Sequence, residues 1–226
     1  MSDAYVLQER AEAKRFLMLM GFSVFACFVY GLRYEVAGAF RFKFLLWNLM
    51  LAWVPYGMSC VMLMLFHRHK ERFLWPLAIG WLLFFPNAPY ILTDLMHIAR
   101  RGNVLWFDTL MITTFAIHGL VLGLMSLRHV HHMIRSKLSA FWTHIVLFMI
   151  TCLSGYAIYI GRFLRWNSWD LFTRPWRLFG HLYHDFFIRG RSGLVLKVSL
   201  ICAGTLFFCY ILLSSFDESA SEEQVM

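Results

Sequence analysis

The sequence contains few charged residues. Asp, Glu, Lys and Arg make up 15% of its 226 residues, against about 25% in an average soluble domain. Hydrophobic residues account for 60% and aromatic residues for 18% of the chain. A globule of this size could not cover its surface with so few polar side chains. The composition therefore excludes a water-soluble fold and makes the bilayer the solvent for most of the chain.

The sequence also lacks the patterns of a disulfide framework, a zinc site or a nucleic-acid interface. All five cysteines lie inside apolar runs, and none belongs to a C-x-x-C motif. They read as small buried apolar residues. The net charge of +8 is spread over the connecting loops instead of forming one basic patch. We therefore expect the basic residues to face anionic lipid headgroups and to set the topology, and we expect no nucleic-acid partner.

Six long apolar runs account for most of the chain. They cover residues 16–32, 44–66, 73–92, 104–127, 138–161 and 194–213. A helix of about 20 residues crosses a hydrocarbon core of ~30 Å, and the runs lack the alternation of barrel strands. The sequence thus predicts one all-α membrane domain over residues 1–226, a polytopic transmembrane helical bundle. Its acidic end, residues 214–226, is predicted to be disordered.

An even number of spans places both termini on one side of the membrane. We call this side, with loops 67–72 and 128–137, the terminal face, and the other side the opposite face. The two tight loops of the terminal face are basic. The total numbers of basic residues on the two faces do not decide the orientation. By the positive-inside rule, the basic tight loops favour an orientation with both termini in the cytoplasm.

Acidic residues collect on the opposite face. Outside the two tails, five of the six acids fall there, namely Glu35, Asp94, Asp108, Asp170 and Asp185. Asn48, Asn87, Asp108 and Lys197 lie inside spans toward the same face. Polar side chains within membranes usually face the bundle interior or a cavity, so a shared water-filled pocket is one interpretation. The alternative is interhelical hydrogen bonding worth about 0.6–2 kcal/mol per contact, which would only hold helices together.

The third run contains the motif Phe85-Pro86-Asn87-Ala88-Pro89-Tyr90, followed by Thr93, Asp94 and His97. Each proline removes a backbone donor, so we expect the helix to kink or break here. If the helix resumes, Asp94 and His97 stand three residues apart on one face, where they could share a proton or a metal ion. The alternative is that Thr93 or Asp94 caps a short helix.

A second motif follows the fifth run and extends from Gly161 to Asp170. Arg162 and Arg165 lie one turn apart, a spacing suited to gripping a phosphate or carboxylate, with Asn167 and Asp170 nearby. One alternative is that the arginines snorkel to headgroups while Trp166 and Trp169 anchor the span. Another is a structural ion-pair network with Asp94 and Asp108.

Between spans five and six, the sequence predicts an amphipathic helix lying in the membrane interface. It begins near Thr173 and Pro175, and its aromatic residues, Trp176, Phe179, Tyr183, Phe186 and Phe187, recur at helical spacing. His181, His184 and Asp185 are compatible with metal ligation by spacing. Interfacial histidines are more often polar filler, so we predict no metal site, and the sequence leaves the question of a cofactor open.

Two histidines lie inside spans. His118 and His144 have comparable depth from the terminal face in spans four and five. We expect them to form a hydrogen bond with each other.

The motifs Phe85–His97, Trp106-Phe107-Asp108 and Gly161–Asp170 resemble an uncharacterised bacterial integral-membrane family, catalogued as domain of unknown function 1361. The resemblance extends from about span two through span six. It implies a multi-pass protein of the bacterial inner membrane and no particular activity, so every expectation about the site rests on residues alone.

The leading hypothesis is a site on the opposite face for an anionic, phosphate-bearing lipid or envelope substrate. Asp94, His97 and Asp108 would supply acid, base or metal-ligand chemistry. Substrate would be bound by Asn87, Arg162, Arg165, Asn167 and Asp170. The alternatives are transport of a small solute or ion, suggested by the broken span with Asn48, Asp108 and Lys197, and a noncatalytic role in membrane assembly or partner binding. Whether the protein is an enzyme stays open at this point.

Overall fold

The computed structural model describes residues 3–37, 41–97, 105–166, 170–184 and 192–223, and this part of the chain is all-α. Its α-helices are α1 (Asp3–Ala37), α2 (Lys43–His67), α3 (Leu74–Phe84), α4 (Asn87–Tyr90), α5 (Leu105–Arg135), α6 (Ala140–Tyr159), α7 (Asp170–Thr173), α8 (Pro175–Tyr183) and α9 (Ser192–Glu223). Two 3-10 helices, Glu71–Phe73 and Ile91–His97, precede α3 and follow α4. A π-helical turn, Ile160–Leu164, extends α6.

Six helical segments are long and apolar enough to cross a membrane, which confirms the predicted polytopic bundle. They are Arg10–Val36, Lys43–His67, Glu71–Met96, Trp106–Arg135, Ala140–Leu164 and Gly193–Ser215. Each of them contains most or all of one predicted apolar run. Many of their large apolar side chains are exposed, as expected where lipid tails cover them.

The predicted amphipathic helix is present as α8, which begins with a proline in its first turn. Trp176 is 86% exposed, and Phe179 and Tyr183 are also exposed. These side chains would lie in the acyl boundary when the helix lies in the interface. Phe186, Phe187 and Asp185 lie outside the described residues.

Residues 214–223, which belong to the acidic end, continue α9 as helix. Extending an existing helix fixes one residue per added hydrogen bond, whereas starting a new helix is costly. The disorder predicted for residues 214–226 stays a prediction.

The third span is broken at its two prolines, as predicted. Helix α3 ends at Phe84, and after Pro86 the chain forms the short α4 and then the 3-10 helix Ile91–His97. The amide of Ala88 donates to the Phe85 carbonyl at 3.2 Å, three residues back. This tighter bond replaces the one that the missing N–H of Pro89 would have made to the same carbonyl.

The broken third span packs against α5 at two glycines of that helix. A methyl group on Gly119 would lie 2.8 Å from the Ala88 carbonyl oxygen and 2.7 Å from Ile91, and one on Gly123 would lie 3.3 Å from Ala88. The spacing is that of a GxxxG motif, which lets backbones approach closely in membranes. These glycines therefore set the position of the segment that carries Asp94.

Helix α5 lies at the centre of the bundle and is the most buried of the six spans. It binds α1 through three polar layers, which we call the α1–α5 layers. They join Asp108 to Arg33 at 2.8 Å, His118 to Ser23 at 2.7 Å and His129 to Glu12 at 3.2 Å. From layer to layer the residue numbers of α5 rise while those of α1 fall, so the two helices are antiparallel.

The expected hydrogen bond between His118 and His144 is wrong. His118 is fully buried and bonds Ser23, while Nδ1 of His144 donates to the Ala140 carbonyl at 2.7 Å. Similar depth did not bring the two rings together because they point to different sides of the bundle. His144 instead packs against His131, with 5.8 Å between ring centroids.

The close packing of the broken span against Gly119 leads to a prediction about stability. The G119A variant should be destabilised by about 1–3 kcal/mol, because the added methyl must push against backbone and Ile91. The matched control is G204A, since nothing lies within 4 Å of a methyl group added there. Thermal unfolding of both variants in the same detergent measures the difference. Equal melting temperatures would contradict the close packing of α5 on the broken span.

Candidate functional site

Asp94 is the centre of a buried polar cluster on the opposite face. Its side chain is only 1% exposed, and its Oδ1 accepts a hydrogen bond from Nη2 of Arg162 at 2.5 Å. Its other oxygen, Oδ2, accepts from the side-chain amide of Asn48 at 2.7 Å. Both carboxylate oxygens are thus bonded, as a buried polar group inside a bundle requires. Helices from spans two, three and five meet at this carboxylate.

Arg162 is fixed in place by more than its ion pair. Its Nε donates to the Thr93 hydroxyl oxygen at 2.8 Å, and Thr93 in turn donates to the Tyr90 carbonyl at 2.6 Å. The guanidinium carbon lies 4.6 Å from the centre of the Tyr90 ring, a cation–π distance. A methyl group on Gly161 would lie 3.1 Å from that ring, so glycine permits the close approach. We call Asp94, Arg162, Asn48, Thr93 and Tyr90 the Asp94 cluster.

Arg165 extends the positive charge of the Asp94 cluster toward the solvent. It follows the π-helical turn in a left-handed conformation, with φ 57° and ψ 40°, and its side chain is exposed. Its charge lies within electrostatic range of the Tyr90 hydroxyl. No carboxylate among the described residues forms an ion pair with it. The two arginines therefore differ, because one is locked into the protein and the other faces outward.

Asp108 has a different arginine partner. Its Oδ1 accepts from Nε of Arg33 at 2.8 Å, and both side chains are less than a tenth exposed. The Arg33 guanidinium also lies 5.3 Å from the centre of the Phe42 ring. Buried pairs of this kind are costly to break, because either partner alone would be an uncompensated charge. The structure thus divides the two acids between two ion pairs.

The remaining predicted site residues have varied positions. The amide of Asn87 donates to the Phe84 carbonyl at 3.0 Å, one of the acceptors left at the end of α3. Asp170 begins α7, and its carbonyl accepts from the Arg174 amide at 2.9 Å. Asn167 and the side chain of His97 lie outside the described part of the structure. Within that part, no three His, Cys, Asp or Glu side chains are close enough together to hold a metal ion.

Helix α8 is held beside the arginine turn. Nε1 of Trp166 approaches Nδ1 of His181 at 3.4 Å, and the two rings meet edge to face with centroids 5.4 Å apart. Two further arginines, Arg174 and Arg177, are exposed at the start of α8. The outward charge of Arg165 therefore has basic neighbours on an interfacial helix.

Sequence reasoning did not find Arg33 as a partner of Asp108. The available signal was a basic residue near the end of span one, at the same face as an acid inside span four. That signal becomes specific only when α1 and α5 are known to be adjacent and antiparallel. Tyr90 was likewise named only as part of a motif, with no role of its own. Its contact with Arg162 joins spans three and five, and the adjacency of two spans is not visible in the sequence.

A family model described as a protein of unknown function, DUF1361, matches residues 47–212. The match covers well over half of the chain and includes the whole Asp94 cluster, whereas Arg33 precedes it. No curated protein and no solved structure matches the chain.

The Arg33–Asp108 pair can be tested by a double-mutant cycle. D108L or R33M alone should cost about 3–5 kcal/mol of unfolding free energy, because each leaves one buried group unpaired. The double variant R33M/D108L should recover at least half of that loss, since it removes both charges. The control is E71Q, whose exposed pair with Lys137 (2.8 Å) is expected to contribute nothing measurable. Additive losses in the double variant would contradict the pairing.

Proposed function

The chain belongs to the DUF1361 family, proteins of unknown function, and we propose that it binds a phosphate-bearing anionic lipid or envelope substrate at the opposite face. We place it in a bacterial inner membrane with both termini in the cytoplasm, so that this face would lie on the periplasmic side. Its direct partners would be the bilayer and its anionic headgroups, with no nucleic acid involved.

The observation that carries the proposal is the contrast between Arg162 and Arg165. Asp94, Thr93 and Tyr90 orient Arg162 and fix the π-helical turn that follows α6. Arg165 extends from that turn as an exposed cation. A preorganised backbone lowers the entropy cost of binding, and a guanidinium matches the oxygens of a phosphate group. The two arginines and Asp94 leave a net charge of +1 at this place, which favours an anion.

The interfacial helix supports a lipid over a soluble anion. Arg174 and Arg177 of α8 lie beside exposed Trp176 and Phe179. Such a helix lies in the headgroup region with its aromatic side chains in the acyl boundary. Basic residues near an anionic surface each contribute about 1 kcal/mol to attraction. Arg165 and α8 would then contact the same headgroup layer.

Binding has more support than chemical processing. Both oxygens of Asp94 are bonded, and Asp108 is buried against Arg33. A general acid or base has to reach the proton that it transfers, and neither carboxylate is placed for that. Asp94 is better described as a positioning residue that holds Arg162.

The transport alternative has a specific obstacle. Buried apolar residues of α5 separate the α1–α5 layers, among them Met111 and Phe115 between the first two and Leu122 and Leu127 between the last two. Successive layers lie 10 and 11 residues apart, about 15 Å along the helix. The buried polar residues in these intervals, Thr114 and Ser126, are hydrogen-bonded within the chain. A permeating ion would therefore meet mainly apolar side chains there, at a high desolvation cost.

The binding proposal predicts a specific loss in R165Q. The full chain, in nanodiscs of phosphatidylcholine, is photo-crosslinked to a phosphatidic acid analogue with a reactive headgroup, and labelled peptides are mapped by mass spectrometry. In the wild type we expect the label on peptides around residues 156–184. The affinity of R165Q for the phosphatidic acid analogue should be about fivefold lower, which corresponds to a loss of ~1 kcal/mol of binding free energy. The control is R68Q, which removes an exposed arginine of the terminal face. Equal labelling of R165Q and wild type in this region would refute the proposal.

A further inference from the structure

A groove runs between α6 and α9 in the part of the bundle that lies toward the opposite face. It encloses about 250 Å³, and its walls are almost wholly apolar. The lining residues are Cys152, Tyr156, Val195, Leu196, Ser199 and Leu200. Leu196 and Leu200 are 54% and 58% exposed, so the groove is open to the lipid around the bundle. We call it the α6–α9 groove.

Close contact between the two helices fixes the shape of this groove. A methyl group on Gly155 of α6 would overlap the Ser199 carbonyl oxygen and lie 3.0 Å from the Ala203 amide nitrogen of α9. Small residues at such contacts let backbones approach closely in membranes. Because the backbones already touch beside the groove, the helices cannot move together to close it. A binding surface that is formed in advance costs less entropy when a ligand enters.

The groove lies in the membrane leaflet of the opposite face. Helix α9 enters the membrane from this face, and its candidate span begins at Gly193. Val195 lies two residues and Leu200 seven residues beyond that point, so the α9 wall covers depths of about 3–10 Å if the helix crosses upright. The whole hydrocarbon core is ~30 Å thick. Acyl chains just beneath the headgroups are therefore the solvent at this groove.

Lys197 is a cation beside the groove. It lies on α9 between the lining residues Leu196 and Ser199, it is exposed, and it has no ion-pair partner in the part of the chain that the structure describes. A lysine inside a span is costly unless its side chain extends to the headgroups. Lys197 is four residues beyond Gly193, about 6 Å of helix rise, so its ammonium group can reach that layer. The positive-inside rule concerns cytoplasmic loops and does not account for a lysine on the face that we place in the periplasm.

We propose that the α6–α9 groove holds an acyl chain of an anionic phospholipid whose phosphate group contacts Lys197. The inference rests on the proposed function, and it narrows the ligand from any phosphate-bearing envelope substrate to a lipid with a long acyl chain. Lysine binds phosphate as a point charge, which favours an anionic headgroup. The groove walls add van der Waals contacts, the packing force that remains where lipid is the solvent. A soluble phosphate would meet the same lysine but would leave the groove to bulk lipid.

The test uses the full chain in phosphatidylcholine nanodiscs and a phosphatidic acid analogue that carries its photoreactive group in one acyl chain. In the wild type we expect crosslinks on peptides that contain residues 152–156 and 195–200. K197Q should lower this labelling about fivefold, as expected for the loss of one basic residue near an anionic headgroup, and K197R should retain it. A zwitterionic phosphatidylcholine analogue with the same reactive chain should also label about fivefold less. Equal labelling by the two analogues would mean that bulk lipid fills the groove, and it would overturn the proposal.

The matched pair of variants is L200W and I201W. A tryptophan at position 200 would fill the groove, whereas Ile201 is 68% exposed and does not line it. We expect labelling of the groove to fall about fivefold in L200W and less than about twofold in I201W, because only the first variant removes packing contacts with the chain. Both melting temperatures should stay close to that of the wild type, since both side chains are exposed. Equal labelling of the two variants would contradict the assigned position of the acyl chain. If L200W does not fold, K197Q decides the result.

The same crosslinks separate this inference from the proposed function. If R165Q loses headgroup labelling but no acyl crosslinks map to the α6–α9 groove in the wild type, the proposed function stands and the groove is refuted. If headgroup labelling is unchanged in R165Q while acyl crosslinks still depend on Lys197, Arg165 is refuted as the anchor and the groove is supported.

Discussion

A bilayer offers no hydrogen-bond partner to a polar side chain, so each such group inside the bundle depends on another part of the chain. Helix α5 meets this constraint through the α1–α5 layers, in which Asp108, His118 and His129 contact Arg33, Ser23 and Glu12. The intervals of 10 and 11 residues recur on both helices. Sliding α1 by one turn would break all three contacts at once. The layers therefore fix the register around which the other spans pack.

The broken third span depends on that fixed helix. Prolines 86 and 89 interrupt its hydrogen bonding, and a broken helix is tolerated in a membrane only when other helices bury its backbone. Gly119 and Gly123 of α5 provide the close contact that does so. The same packing places Asp94 within hydrogen-bonding distance of Arg162 and Asn48. The site on the opposite face is thus a consequence of how α5 accommodates two prolines.

Hydropathy and single residues were sufficient to predict the spans and the break, and to single out Asp94 and Asp108 as acids inside the bundle. Length and composition decide a span, and a costly acid in a membrane is visible without any structure. Partners were not predictable, because pairing depends on which helix faces become adjacent. Arg33 therefore went unrecognised, and His118 was assigned to His144 from depth alone.

The arginines of the opposite face fall into two groups, and the difference between them has a physical basis. Arg33 and Arg162 each neutralise a buried carboxylate, so their charge stabilises the fold and positions a neighbour. Arg165 on the opposite face has no comparable carboxylate described beside it. A paired arginine gains little by binding a further anion, because its field is already cancelled at short range. An arginine in excess over the local acids retains that field and can attract an anion. The balance of arginine against acid thus separates the residues that hold the bundle together from those available to bind.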